Sequence, residues 1–136
     1  MKDELNRDNH KRVGIVNKLL KEQGIITWFD EDKIQAHIEQ QMAEGIDDSD
    51  IFLVFITKVY IDKVASKEYD NCKAEFSYAS KRKKRMISIV MEPSVKDQGE
   101  WTGPVGLRLS SDLYVDMSDS GSENDISNLI KHINGF

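Results

Sequence analysis

The stretch "IFLVFI", Ile51 to Ile56, constrains this chain more than any other, because every one of its side chains is apolar. A strand with one wet face alternates polar and apolar residues; a run apolar on both parities belongs to a central parallel strand covered on both sides. Parallel strands need long crossovers, usually helical, so the rest of the chain is expected to supply helices for both faces. The pattern does so. Val13, Val16, Leu19 and Leu20 recur at helical spacing between Asn9, a good N-cap, and Gly24, which predicts a helix over 9–22. "IITWF" predicts a buried strand over 25–29, and Ile34, Ile38 and Met42 predict a second helix, with Gly45 following as its stop.

Downstream, a helix is expected over 69–82, a strand over 86–91 ending at Pro93, a long loop over 94–111, and a short strand over 113–115. A final helix opens at Ser122, where Asp125 completes a capping box, and presents Ile126, Leu129, Ile130 and Ile133 as one apolar stripe. The fold class that follows is α/β, three-layered and flavodoxin-like, with a parallel sheet of four to five strands and helices on both faces. Such domains usually begin with a strand that lies inside the sheet, whereas this chain begins with a helix. Either the sequence is truncated at its N-terminus, or the strand at 25–29 pairs directly with that at 51–56.

The length of 136 residues suits one domain, and 39% hydrophobic with 32% charged residues suits a packed core under a solvated surface. The net charge of −5 disfavours nucleic-acid binding driven by phosphate contacts. Cys72 is the sole cysteine, which leaves no internal disulfide and no cysteine zinc cluster and fits a reducing, cytoplasmic setting. His10, His37 and His132 share no ligand spacing, so no metal is expected. No apolar run reaches the length of a membrane span. The basic run "KRKKR", Lys81 to Arg85, reads as a solvated helix end whose cations suit the helix dipole. Trp28, within a strand, reads as core.

One carboxylate is out of place. Cys72, Glu75, Phe76 and Ala79 stand at i, i+3, i+4 and i+7, so Glu75 lies on the stripe that faces the core. An unpaired buried charge is costly, so this glutamate borders a polar cleft, pairs with a cation, or titrates abnormally.

The ordered segments "GIITWFDED", "HIEQQMAEGIDDSD", "FLVFIT", "DNCKAEF", "VMEP", "WTGPVG" and "LYVD" resemble a Toll/interleukin-1 receptor (TIR) domain, over about residues 9–116. The resemblance implies a single TIR domain over 1–136, without the family's first strand, that acts in immune or stress signalling. Some TIR domains cleave NAD at the nicotinamide–ribose bond with a glutamate on the third helix, often in a WxxxE pattern. Glu75 matches that glutamate, Asn71 stands in the tryptophan's place, and Cys72 matches the "WC" of many plant members. The resemblance thus makes Glu75 the candidate catalytic residue, with Asn71, Cys72, Trp101 and Asp30 as candidate substrate-binding residues. NAD is then a substrate, and no cofactor is implied.

Trp101 resembles an aromatic residue placed near the substrate in cleaving members; the other reading of it is a loop anchor packed on the sheet. Glu31, Asp32, Lys33, Ile34, Gln35 and Ala36 correspond to the loop through which TIR domains contact one another, so other TIR domains, including copies of this chain, are the expected partners. A receiver domain would need an aspartate where this chain has Thr57, and a flavodoxin a phosphate-cradling loop after its first strand. The remaining rival is a TIR scaffold that binds without catalysis. Because the loop after the family's first strand lines the nucleotide pocket, weak or no turnover is expected of this chain.

Overall fold

The computed structural model describes residues 9–22, 24, 27–28, 38–49, 51–68, 71–118, 128–131 and 133. In order, these form α1 (Asn9–Glu22), β1 (Thr27–Trp28), α2 (Ile38–Asp48), β2 (Ile51–Ile56), α3 (Lys58–Ala65), α4 (Asn71–Lys81), β3 (Arg85–Val90), α5 (Gly103–Leu109) and β4 (Tyr114–Asp116). Two short 3₁₀ turns, Pro93–Val95 and Gln98–Glu100, lie between β3 and α5. Residues 128–131 and 133 are helical.

The sheet is parallel throughout, with strand order β1-β2-β3-β4. Thr27 pairs with Ile51 and Trp28 with Phe52, so β1 pairs directly with β2. Because every crossover steps the same way, right-handed connections must place all the linking helices on one face. The core shows this. Phe52, Val54 and Ile56 of β2 are buried with Ile46 of α2, Ile61 and Val64 of α3, Phe76 and Ala79 of α4, and Val105 and Leu109 of α5. The opposite face, with Ile51, Leu53, Ile87 and Ile89, is covered by Val16 and Leu20 of α1 and by Leu129 and Ile133. The all-apolar strand is therefore buried on both sides for the reason its sequence implied.

Several expectations are corrected. Helix α2 does not stop at Gly45 but runs on to Asp48, because that continuation buries Ile46 completely, a gain of about 2 kcal/mol against the ~1 kcal/mol that glycine costs within a helix. Ser49 then closes the helix, its hydroxyl donating to the Gly45 carbonyl at 2.6 Å. Helix α3, unanticipated, starts at Thr57, whose Oγ1 accepts the Tyr60 N–H at 3.0 Å. The expected loop over 94–111 contains α5: Pro104 sits in its first turn, where a missing N–H costs nothing, and Gly106 lies against the Trp101 carbonyl. The strands expected over 86–91 and 113–115 are each displaced by one residue. Ile34, Ser122, Asp125 and Ile126 lie outside the described residues.

Candidate functional site

Helix α4 carries the candidate carboxylate. Lys73 fastens its first turn by donating from Nζ to the Ser66 carbonyl at 2.6 Å, and the helix packs against α3 and α2. Asn71 is its first residue, and Cys72, which forms no disulfide, is half-buried against the core. Glu75 retains 4% of its surface, beside Phe76 at 3% and Ala79 at 0%. The helical spacing thus places the carboxylate inside the wall of the core. Desolvating a carboxylate costs several kcal/mol, a cost that groups inside the fold must offset.

At the C-terminal ends of β2, β3 and β4, where open parallel sheets hold their ligands, several described groups bond to one another. After β2, Thr57 and Lys58 open α3; after β3, the buried Glu92 accepts the Lys58 N–H at 3.0 Å, so a carboxylate occupies the positive end of that helix. Arg12 of α1 donates to the carbonyl of Met91 at 2.9 Å and to that of Met117, fastening together the ends of β3 and β4. Asp116 accepts from the Ser118 hydroxyl at 2.6 Å and from its N–H at 2.9 Å. Burial, the largest influence on Asp116, pushes its carboxyl up, but the two Ser118 hydrogen bonds and Lys96 outweigh it and hold it below the usual value.

Trp101 is buried within the core cluster that includes Glu75's neighbour Phe76. Its indole N–H donates to the Val95 carbonyl at 2.7 Å, and its ring tilts at 54° against Tyr114, centroids 5.8 Å apart. These contacts anchor the segment before α5, with the ring at 4% exposure. Asp30 and the loop Glu31, Asp32, Lys33, Ile34, Gln35, Ala36 lie outside the described residues, as does the side chain of Trp28.

The basic run does more than end a helix in solvent. The Arg82 side chain meets Asp47 Oδ1 at 3.0 Å, Lys84 Nζ donates to the carbonyls of Asp47 and Ser49 at 2.9 and 3.0 Å, and Arg85 donates to the carbonyl of Ile133. Tyr78 adds its hydroxyl to Asp47 Oδ2 at 2.7 Å. Asp47 is held below the usual carboxylate range chiefly by that Tyr78 hydroxyl, with Arg82 and Lys84 assisting, and Tyr78 is correspondingly pushed up. The cations a nucleic acid would need are thus largely committed to the ends of neighbouring helices.

Sequence reasoning assigned no role to Arg12 or Glu92. Their partners are backbone atoms 79, 105 and 34 positions away, and no local pattern signals such pairings. No group of three or more metal-binding side chains occurs among the described residues, and no described helix is long and apolar enough to cross a membrane.

The parallel sheet with helices on both faces defines a three-layer α/β domain of the flavodoxin-like class. Within that class, the family model for the TIR domain matches residues 6–131, and the chain belongs to that family. No curated protein matches it. TIR domains are signalling modules of immune responses, and contact between TIR domains is their general mode of interaction.

Proposed function

We infer that this TIR domain cleaves NAD at the nicotinamide–ribose bond, with Glu75 as the group that meets the developing positive charge. The observation that supports it is the burial of Glu75 on α4, at 4% exposure between apolar neighbours. In a low-dielectric wall a carboxylate acts strongly on a nearby cation. As the bond between the pyridinium nitrogen and the ribose C1′ breaks, the electron pair leaves with nicotinamide, which is neutral and needs no acid. The ribosyl oxocarbenium left behind is stabilised by the carboxylate, which also accepts hydrogen bonds from the ribose hydroxyls. Water then adds at C1′ and releases a proton. Asn71 and Cys72, about one turn earlier on the same helix, are the residues this reading assigns to substrate binding.

The same 4% exposure favours a second reading, because a ribosyl group must reach a carboxylate that is largely enclosed. A TIR scaffold that signals by assembly alone needs no such opening. An NAD-consumption assay on the purified chain, at concentrations that permit self-association, separates the two. Catalysis predicts nicotinamide release that falls at least ~100-fold in Glu75→Ala and Glu75→Gln while assembly is preserved. No release from the wild type, or release that survives both substitutions, overturns it.

A further inference from the structure

We propose that Asp47 is a positioning residue for Glu75: through Tyr78 and Arg82 it holds α4 at the rotation that keeps the Glu75 carboxylate enclosed. Asp47 is exposed, yet it follows Ile46, which is fully buried, so its place near the end of α2 is fixed by the core. Its two carboxylate oxygens take one bond each. Oδ2 accepts from the Tyr78 hydroxyl at 2.7 Å and Oδ1 from Arg82 Nε at 3.0 Å. A return tie comes from the segment after α4: Lys84 Nζ donates to the Asp47 and Ser49 carbonyls at 2.9 and 3.0 Å, while the Lys84 N–H donates to the Ala79 carbonyl at 3.0 Å. The end of each helix is thus bonded to the other.

The helical period gives these bonds their consequence. Glu75, Tyr78 and Arg82 stand at i, i+3 and i+7, so they share one edge of the helix. The Arg82 N–H still donates to the Tyr78 carbonyl at 2.9 Å, which carries the helical spacing to Arg82. Two contacts one turn apart on that edge resist rolling of α4 about its axis. Rolling is the movement that changes the depth of Glu75 without parting Phe76 and Ala79 from the core, and Glu75 retains 4% of its surface. Lys73, bonded to the Ser66 carbonyl, fastens the first turn but stands at i−2 to Glu75, off that edge. The bonds to Asp47 are exposed, so their loss changes local opening more than global stability. Where Glu75 acts on NAD, the clamp limits its contact with substrate, and in that respect the proposal rests on the catalytic reading.

The test is carbodiimide labelling of carboxylates on the folded full chain, read residue by residue by mass spectrometry, with Glu92, equally enclosed at 4%, as the internal reference. Asp47→Ala should raise labelling of Glu75 relative to Glu92 at least ~5-fold. Tyr78→Phe/Arg82→Ala, which removes the same bonds from the α4 side, should reproduce that rise, and Lys73→Ala should not. Circular dichroism and urea midpoints should show all three variants folded. A ratio unchanged by Asp47→Ala, or Glu75 and Glu92 rising together, overturns the proposal. So does a ratio raised by Lys73→Ala alone, which assigns the hold to the other end of α4. In the NAD-consumption assay the two clamp variants should release nicotinamide faster than the wild type, and slower release at raised labelling refutes the link to catalysis. No release from any variant counts against NAD cleavage alone, because labelling reads the clamp without turnover.

Discussion

Replacing Gly106 by alanine tests how the segment between β3 and β4 is held. A Cβ on Gly106 would lie 1.7 Å from the Trp101 carbonyl oxygen and 2.6 Å from its carbon. An ordinary carbon–oxygen contact is ~3.3 Å, so helix and loop must part by roughly 1.6 Å. Neither side yields cheaply: Val105 and Leu109 sit at 0% and 2% exposure, and Trp101 is pinned by its 2.7 Å hydrogen bond to Val95. Overpacking of this kind costs about 3 kcal/mol and loosening the indole bond about 1, while alanine regains about 1 over glycine in a helix. The net loss is about 3 kcal/mol, seen as a fall of roughly 10 °C in Tm or a matching shift in the urea midpoint. Gly24→Ala is the control: its φ is 76° but nothing lies within 4 Å of the added carbon, so it should cost only about 1 kcal/mol of backbone strain. If Gly106→Ala is as stable as the wild type, the close approach of α5 to Trp101 is refuted; if Gly24→Ala is the worse of the two, conformation rather than contact decides these sites.

Lys83, at φ 56°, closes α4 in the left-handed conformation while the Lys84 N–H reaches the Ala79 carbonyl and the Lys83 N–H that of Ser80. Lys83→Gly should therefore raise stability by about 1 kcal/mol in thermal melts, and a loss would refute that ending. Asp47 is held below its usual 3.8, so its contribution to stability is present above that value and is lost as pH falls through the lower folded value; Asp47→Asn should flatten the acid limb of a stability–pH profile. Tyr78 is raised above 10.0, so its contribution is complete below pH 10 and lost as pH climbs through the folded value, and Tyr78→Phe should remove that alkaline loss in urea titrations.

The elements legible in the sequence are those whose own side chains decide them. α1 was readable because Val13, Val16, Leu19 and Leu20 hold the helical period, and β2 because its residues are apolar on both parities. The others depend on distant partners. The end of α2 is set by the burial of Ile46 rather than by Gly45, α3 by one threonine cap and two buried residues, and α5 by a glycine whose necessity appears only beside Trp101. The site divides in the same way. The depth of Glu75 followed from i, i+3, i+4, i+7 spacing, whereas Trp101 was open to two readings until its N–H was seen on Val95. "KRKKR" looked solvated because Asp47, Ser49 and Ile133, which receive its cations, are remote in the chain.

These observations set a joint condition on any chemistry at Glu75. Beside the ends of β2, β3 and β4, Glu92 accepts from the Lys58 N–H and Arg12 donates to two carbonyls, while the Trp101 indole is bonded to Val95. Glu75, at 4% exposure, becomes more accessible where α4 moves away from its neighbours. The ties that oppose such a movement are Lys73 to Ser66 at one end of α4, and at the other Tyr78 and Arg82 to Asp47 of α2. The second set is exposed and charged, and such bonds contribute little individually and weaken with salt. The buried faces of Phe76 and Ala79, by contrast, resist separation from the sheet at any ionic strength. Under the catalytic reading, such a movement of α4 is opposed least at the Asp47 end, which α2 holds.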